Sequence, residues 1–500
     1  MLGGDYMEVR VRYAPSPTGL QHIGGIRTAL FNYFFARSQK GKFILRIEDT
    51  DQGRSSDESI QDLYETLSWL NINPDEGPVQ GGPYEPYIQS ERAELYRNAA
   101  YELIEKGKAY KCFCTSERLD ALREEQTAAK SKQLGYDGKC RGLNQQEIDE
   151  NESKGMPFVI RLKVPTDGKT TFHDVLMGDI TRKNKDVNPD PVLLKSDGFP
   201  TYHLANVIDD HMMNITHIMR AQEWIPSGPL HILIYEAFGW TPPLYCHLPM
   251  VMGKDGKKLS KRHGSTAVKD FKEKGYLPEA LLNYVSMVGW SFDDKKEMFS
   301  EDELCEVFTL EKINKAPGVF DYKKLDWYNG MYIREKSDEE LMSLLLPYMQ
   351  SNNYISAECS SEEKEKFLSI IPLIKERLKV LSDVIEMVKF LYTDDEVQDV
   401  TDLVPKKQSL EQTYEALKGA YAILLQYKDE EDEVIEEHLT ALSSTLNIKV
   451  NGVFMPIRVS VTTSSVSPPL FDSIRALGWA SSLKRINNAI TLLETEVKNG

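Results

Sequence analysis

Two short segments, far apart in the chain, carry the residue types that handle phosphate. The first is Pro15-Ser16-Pro17-Thr18-Gly19, followed by His22-Ile23-Gly24-Gly25. Prolines and glycines hold a tight turn, His22 stands just before a helical run, and small Gly24 and Gly25 let a nucleotide approach the backbone closely. A helix N-terminus at that point favours the negative charge of phosphates. The second segment is Lys258-Leu259-Ser260-Lys261-Arg262, preceded by Gly253, Lys254, Asp255 and Gly256. Its glycines permit a mobile loop, and its two lysines and arginine suit the neutralisation of a triphosphate as charge moves onto departing pyrophosphate. Each segment alone has a plainer reading, a polar strand-to-helix turn for one and a solvated basic loop for the other.

The elements around them predict an α/β frame. Glu8–Tyr13 alternates charge with Val and Tyr and stops at the Pro/Gly turn, which reads as a strand. An apolar helical run follows from Ile26 to Ala36, Gly41 ends it, and Phe43–Ile47 reads as a second buried strand. This β-loop-α-β start is that of a doubly wound parallel sheet, whose ligands sit beyond the carboxyl ends of the strands, where Ala14–Gly25 lies. From about Glu91 to Thr201 the pattern changes to helices, a polar Cys-bearing loop and short strands such as Phe158–Val164, an insertion between two halves of the frame. The second half returns with Pro200–Asp209, Ile215–Arg220, a helix from Ser227 to Phe238 and a strand at Leu248–Met252. Past Leu277 the chain is mostly helical, with Pro278 in a first turn and Leu281, Leu282 and Val285 as the apolar stripe.

Composition narrows the class. A 500-residue chain allows about three to five domains. With 41% hydrophobic and 27% charged residues it reads as an ordinary soluble enzyme. It has no 18-residue apolar run to span a membrane, and Met1 to Arg10 lacks the apolar core of a signal peptide. Met1 to Tyr6 reads as a short extension before the first strand. Six scattered cysteines point to a reducing, cytoplasmic setting. A net charge of −17 argues against indiscriminate coating of nucleic acid, but a local basic face such as Lys254–His263 suffices for tRNA phosphates. The acid gathers at places such as Asp429–Glu437.

Taken together, His22-Ile23-Gly24-Gly25 and Lys258–Arg262, separated by an insertion within one α/β frame, resemble the two signature motifs of class I aminoacyl-tRNA synthetases. Arg12–Gly19, Leu45–Asp51, Asp197–Asp210 and Arg220–Trp224 extend the match to the bacterial glutamyl-tRNA synthetases, over nearly the whole chain and most densely through about residue 330. The resemblance implies a Rossmann-type catalytic domain in two halves, 1–91 and 202–264, around an α+β tRNA acceptor-binding insertion, 92–201. A stem-contact linker at 265–338 and an all-α anticodon-binding region at 339–500 would follow. It implies a cytoplasmic monomer taking glutamate, tRNA(Glu) and ATP with Mg2+. Glutamate would attack the α-phosphate and release pyrophosphate, and the terminal ribose hydroxyl of tRNA would then attack the mixed anhydride. Neither step needs a protein nucleophile.

The same resemblance assigns residues. His22, Lys258, Lys261 and Arg262 would stabilise the phosphates, with Gly24, Glu223 and Trp224 beside the nucleotide. Arg12 and Arg220 would face the side-chain carboxylate of glutamate, Glu48 would take its α-amino group, and Ser16, Tyr202 and Asn206 would contact it. An arginine fork binds a carboxylate through paired, charge-assisted hydrogen bonds. Glutamine in place of glutamate would leave buried arginine charge unpaired, a penalty of a few kcal/mol, on that order. Each arginine has the alternative of an exposed salt bridge.

Cys112-Phe113-Cys114 and Tyr136-Asp137-Gly138-Lys139-Cys140 leave two readings. Three close cysteines supply three of zinc's four ligands. No His sits beside Cys140, so a structural Zn2+ would take Tyr136 as its fourth ligand; the alternative is three free thiols in a loop. In the C-terminal helices, Arg458 precedes Ser467-Pro468-Pro469-Leu470-Phe471 at a spacing that resembles an anticodon-contacting segment. Arg377 resembles the arginine that separates glutamate from glutamine anticodons, and also reads as a surface helix arginine. Rival readings each meet an obstacle. A glutamine-specific relative typically appends β-barrels, and a queuosine-modifying relative lacks the long C-terminus. A dead-site tRNA-binding protein would not keep His22, Lys261, Arg12 and Glu48. A cofactor adenylyltransferase has no use for the insertion.

Overall fold

The computed structural model describes residues 8–499 except 52, 54, 55, 132 and 133; the expected extension Met1 to Tyr6 lies outside the described residues. The chain forms two compact units. One runs to Glu273 and takes in Pro278–Tyr322; the other takes Lys274–Leu277 and the chain from Lys323 on.

The first unit is built on a parallel sheet. Strand β1 (Arg10–Tyr13) pairs with β2 (Lys42–Leu45), Arg12 opposite Ile44. Helix α1 (Ile23–Ser38) connects them and is buried nearly all round, with Ile26, Leu30, Phe31 and Phe34 fully enclosed. Such a helix is held by packing rather than by an amphipathic face. It begins three residues before the expected Ile26, directly after His22, because His22 itself caps it. It ends at Ser38, and Gly41 helps to end it, its N donating to Ala36 O at 2.8 Å; a Cβ there would lie 2.1 Å from the carbonyl of Val9, so glycine also lets the chain turn into β2.

Helix α2 (Asp57–Trp69) is capped by Ser56. The insertion opens with α3 (Ala93–Glu105) and a three-stranded antiparallel sheet of β3 (Ala109–Cys112), β4 (Val159–Leu162) and β7 (Val192–Leu194). Helices α4 (Ser116–Ala128) and α5 (Gln145–Ser153) lie between β3 and β4 and bury no residue. The hairpin of β5 (Lys169–Asp174) and β6 (Gly178–Lys183) does something the sequence reading did not anticipate. Its β5 pairs in parallel with β9 (Leu244–Leu248), so the insertion contributes strands to the same sheet as the second half of the frame.

That second half brings α6 (Tyr202–Met212), β8 (His217–Ala221) and α7 (Gly228–Phe238), the last ending at left-handed Gly239. Strand β8 pairs in parallel with β9, placing Arg220 opposite His247. Thr216 N donates to Arg10 O at 2.9 Å, which sets β8 beside β1. The core of the insertion is continuous with α6 and α7: Tyr96, Leu103, Ile160 and Leu193 pack with Leu204, Ile208, Leu233 and Tyr235. The expected strand Leu248–Met252 is split, since β9 stops at Leu248 and a short β10 (Val251–Met252) pairs with β11 (Gly318–Val319). Pro249 lacks the N–H that an unbroken strand would need. Pro278 opens its helix, Pro278–Met287, with Leu281, Leu282 and Val285 buried as expected.

The described residues of the second unit form helices and loops without a strand. Leu417, Ala420 and Leu424 of the helix Leu410–Tyr427 pack with Ile435, Leu439, Val453, Ile457, Ile486 and Leu493. Among the described residues, no helix is long and apolar enough to cross a membrane.

Candidate active site

The loop after β1 and the loop after β10 meet. Ile23 N donates to Thr266 O at 2.9 Å and Val268 N to Gln21 O at 2.9 Å, so the chain leaving the lysine loop lies against the His22 turn. Gly253 N to Lys257 O (2.8 Å) and Leu259 N to Val251 O (2.9 Å) close that loop as a hairpin on β10. His22 caps α1, its Nδ1 accepting from Gly25 N at 3.3 Å. Burial and then the charge of Lys258 lower its pKa, so the ring is neutral near pH 7 and its proton sits on Nε2. A Cβ on Gly25 would come within 2.9 Å of Tyr13 Oη, which explains the small residue there.

Both loops line one cleft of about 810 Å³. His22, Gly24, Lys258 and Lys261 are on its wall, together with Glu223 and Trp224. Lys258 is ion-paired with Glu223. Lys261 has no carboxylate partner among the described residues. Arg262 is not brought to the wall; it pairs with Asp255 at 3.0 Å, as does His263 at 2.9 Å, and these contacts brace the loop.

The other end of the same cleft holds Arg12, Ser16, Glu48, Tyr202, Asn206 and Arg220. Arg46 N to Tyr13 O (3.0 Å) and Glu48 N to Pro15 O (3.1 Å) carry the β1–β2 register past the strand ends and aim Glu48 and Ser16 at one space. The two arginines differ in kind. Arg12 donates Nε to Asp210 Oδ1 at 2.9 Å and Nη2 to Oδ2 at 3.2 Å. Burial opposes its charge, but Asp210 outweighs burial and raises its pKa. Arg220 is 5% exposed and has only neutral partners. Its Nε donates to His247 Nε2 at 3.1 Å, Nη1 faces Tyr202 Oη at 3.3 Å and His231 Nδ1 at 3.4 Å, and Nη2 faces the Trp224 carbonyl at 3.4 Å. Among the described residues no carboxylate is within ion-pairing distance of it. A buried cation held by neutral groups beside an open cleft has the chemistry to accept a carboxylate.

Glu48 Oε1 accepts from Arg46 Nη2 at 2.8 Å and Asn206 Nδ2 at 3.3 Å. Its pKa is raised because burial outweighs Arg46 and Arg12. An incoming ammonium group, like Arg46, would favour the charged form. Asn206 Oδ1 is buried without a hydrogen-bond partner and adds an acceptor at the same place.

Several contributors escaped the sequence reading. Arg46 and Asp210 lie inside segments that carried the resemblance, yet nothing local showed that Arg46 joins Glu48 to Asp210 (Nη1 to Oδ1, 2.7 Å). Arg27 lines the cleft and donates to the carbonyls of Pro249 and Val288; with no carboxylate partner among the described residues, burial pushes its pKa down to about 10. His247 and Asp174 had no signal in the sequence.

Residues 8–327 match the family model for tRNA synthetases class I (E and Q), catalytic domain, and residues 340–490 match an anticodon binding domain. The chain belongs to this family. Among its relatives, the glutamate–tRNA ligase of Borrelia recurrentis is 54% identical over 98% of this chain and 97% of its own length. That of Treponema denticola is 52% identical over 97% and 99%. A glutamate-tRNA synthetase structure from Elizabethkingia anophelis, 36% identical, superposes with a TM-score of 0.79 over 97% of this chain and 100% of that one. A second, from Elizabethkingia meningosepticum, has the same values and is a complex with its amino acid.

Two further clusters in this class I synthetase were anticipated. In the insertion, the Sγ atoms of Cys112, Cys114 and Cys140 lie within 4.8 Å of one another. Cys114 and Cys140 Sγ are 3.6 Å apart, and Tyr136 Oη is 3.4 Å from Cys112 Sγ and 3.9 Å from Cys114 Sγ. Zn–S bonds of ~2.3 Å and Zn–O bonds of ~2.0 Å at tetrahedral angles give S···S edges of ~3.8 Å and S···O edges of ~3.5 Å, so the three separations given are compatible with a zinc site. Arg161 lies over the Tyr136 ring at 4.0 Å.

In the second unit, Arg458 on the helix Asn451–Thr462 donates to Ser467 Oγ at 2.5 Å and to the Pro468 carbonyl at 2.7 Å. Ser467, Pro468 and Leu470 are buried, so they shape this segment, and the exposed neighbours are Ser465 and Val466. Burial and then the charge of Arg377 lower the Arg458 pKa. Neither has a carboxylate partner among the described residues.

Proposed function

We propose that this chain is a glutamate–tRNA ligase, activating glutamate with ATP and transferring it to the 3′ end of tRNA(Glu). The observation that carries the reading is Arg220: a buried guanidinium without a carboxylate partner among the described residues, in the cleft whose other end holds His22 and Lys261. Arg220, with the free edge of Arg12, receives the side-chain carboxylate of glutamate, and Glu48 with Asn206 receives the α-amino group. This leaves the α-carboxylate directed at the nucleotide. It attacks the α-phosphorus of ATP, and the bond to pyrophosphate breaks. His22 donates from Nε2, and Lys261 and Lys258 hold the charge that moves onto the leaving group. Magnesium would accompany ATP and supply charge neutralisation at its phosphates. The terminal ribose hydroxyl of tRNA then attacks the acyl carbon, releasing AMP.

In this reading residues 92–201 contact the acceptor end, 265–338 the stem, and 339–500 the anticodon, with Arg377 and Arg458 as the basic contacts. Cys112, Cys114, Tyr136 and Cys140 hold a zinc ion that orders the insertion and takes no part in the chemistry. The test is ATP–pyrophosphate exchange with glutamate, with and without tRNA. Exchange with glutamate and not with glutamine is expected; no exchange in either condition sinks the reading.

A further inference from the structure

Arg220 is held by a relay that starts in the insertion. Asp174, at the end of β5, is fully buried, as is His247 on β9. Asp174 Oδ2 accepts from His247 Nδ1 at 2.7 Å and from His247 N at 2.9 Å, while Oδ1 accepts from Leu176 N and Met177 N, both at 2.9 Å. On its far side, His247 Nε2 is 3.1 Å from Arg220 Nε. The guanidinium Nε can only donate and the carboxylate can only accept. One state of His247 satisfies both, the neutral ring with its proton on Nδ1 and a lone pair on Nε2. Burial drives the ring toward neutrality, and the Asp174 hydrogen bond only partly opposes it.

We propose that Asp174 and His247 are positioning residues for glutamate recognition: Asp174 locks His247 as an acceptor, and His247 orients Arg220 without neutralising it. The contrast with Arg12 shows why a neutral acceptor matters. A carboxylate placed directly on Arg220, as Asp210 is on Arg12, would compete with the side chain of the substrate. An imidazole fixes the guanidinium and leaves its charge for the ligand. Because Asp174 comes from the hairpin of the insertion and pairs across to β9, the amino-acid pocket is complete only when that hairpin is seated on the sheet. The inference rests on the assignment of Arg220 to the side-chain carboxylate.

The variants separate the steps. His247→Gln keeps an acceptor within reach of Arg220, whereas His247→Asn keeps a donor for Asp174 and loses contact with Arg220. Asp174→Asn keeps an acceptor for the loop amides but favours the other His247 tautomer, which turns an N–H toward Arg220 Nε; an orienting carboxylate acts this way elsewhere. In ATP–pyrophosphate exchange with tRNA present, His247→Asn and Asp174→Asn should raise KM for glutamate by about tenfold or more, from the loss of one hydrogen bond to a charged group. Both should reduce preference for glutamate over glutamine, with KM for ATP unchanged. His247→Gln should stay within about threefold of the parent enzyme.

Arg220→Lys should raise KM for glutamate further still; if it does not, the assignment of Arg220 fails. If Arg220→Lys has its effect while His247→Asn and Asp174→Asn leave KM and amino-acid preference alone, the relay is refuted. Equal effects of Asn and Gln at 247 also refute it, since side-chain bulk would then be what matters. A readout on the unsubstituted enzyme guards against variants that misfold. Its 15N-histidine spectrum should contain a neutral Nδ1–H ring that is unchanged from pH 6 to pH 8 and whose signal is lost in His247→Gln; assignment of the opposite tautomer to His247 overturns the proposal.

Discussion

Replacing Arg46 by Met tests whether the charged groups behind the pocket act as one unit. Arg46 is fully buried, with Nη2 2.8 Å from Glu48, Nη1 2.7 Å from Asp210 and Nε 3.7 Å from Asp209. Asp210 would keep Arg12 at 2.9 Å, and Asp209 would keep Arg92 at 2.8 Å. Glu48 would keep only the Asn206 amide at 3.3 Å, so the loss falls on Glu48. Breaking a buried ion pair from one side destabilises by about 3–5 kcal/mol. The pH dependence has a definite sign. The Glu48 pKa already stands above its ordinary value through burial, and losing Arg46 raises it further. A carboxyl with a folded pKa above its unfolded value (~4.3) holds its proton more tightly in the folded chain, so its penalty is absent below the unfolded value and grows as the pH rises through the folded one. Denaturant unfolding at pH 8 should therefore show a loss of about 3–5 kcal/mol, and at pH 5 a loss smaller by up to about 1.4 kcal/mol for each pH unit of added shift. Tryptophan fluorescence suits the measurement, because Trp69, Trp224, Trp240 and Trp290 all belong to the first unit. KM for glutamate should rise as well, since a protonated Glu48 no longer attracts an ammonium group. A loss below about 1 kcal/mol, or one equal at both pH values, would refute the claim that Arg46 is what keeps Glu48 ionised.

Three other outcomes are expected. Lys261→Ala should lower kcat for activation by about 10²-fold or more, because it removes a cation aimed at developing phosphate charge, while tRNA affinity measured by filter binding changes little; unchanged turnover would mean the loop is misassigned. Purified protein should carry about one zinc per chain by elemental analysis, and Cys140→Ser should lose it, because one of four donors is weakened; metal-free protein of full activity would remove the zinc reading. Lys258→Ala should raise the His22 pKa in a proton NMR titration, since it removes a cation that lowers it and frees Glu223. The stability linked to neutral His22, which in the parent enzyme is lost as the pH falls through the unfolded value near ~6.5, should then be smaller. An unmoved titration would separate the two residues.

Most of the pocket was legible because its residues sit at chain positions with strong local constraints. The Pro15–Gly25 turn has to end a strand and start a helix, so its place at the carboxyl edge of the sheet follows from pattern alone. Arg12 and Glu48 stand on or just beyond strands whose apolar neighbours set their direction. Lys258 and Lys261 sit on a glycine-rich hairpin after a strand. Arg262 resembles them in the sequence, yet it turns away to Asp255, and spacing does not encode that choice. Ser467, Pro468 and Leu470 were recognisable as a segment, but burial decides that they form its support.

The sequence by itself determined the parallel α/β frame, the two phosphate-handling loops and the residue types that select an acidic amino acid, because each is written in local periodicity, turn chemistry or a short motif. Tertiary structure alone decided how the charges are distributed. Arg12 and Arg220 look alike along the chain, but Asp210 reaches the first across 198 positions, and His247 reaches the second through strand pairing. One arginine is thereby paired with a carboxylate and the other with neutral groups. Asp174 comes from an insertion that reads as a separate piece, yet it joins the sheet at β9 and hydrogen-bonds that histidine. Such pairings depend on which side chains meet inside a low-dielectric core, and linear spacing carries no record of that.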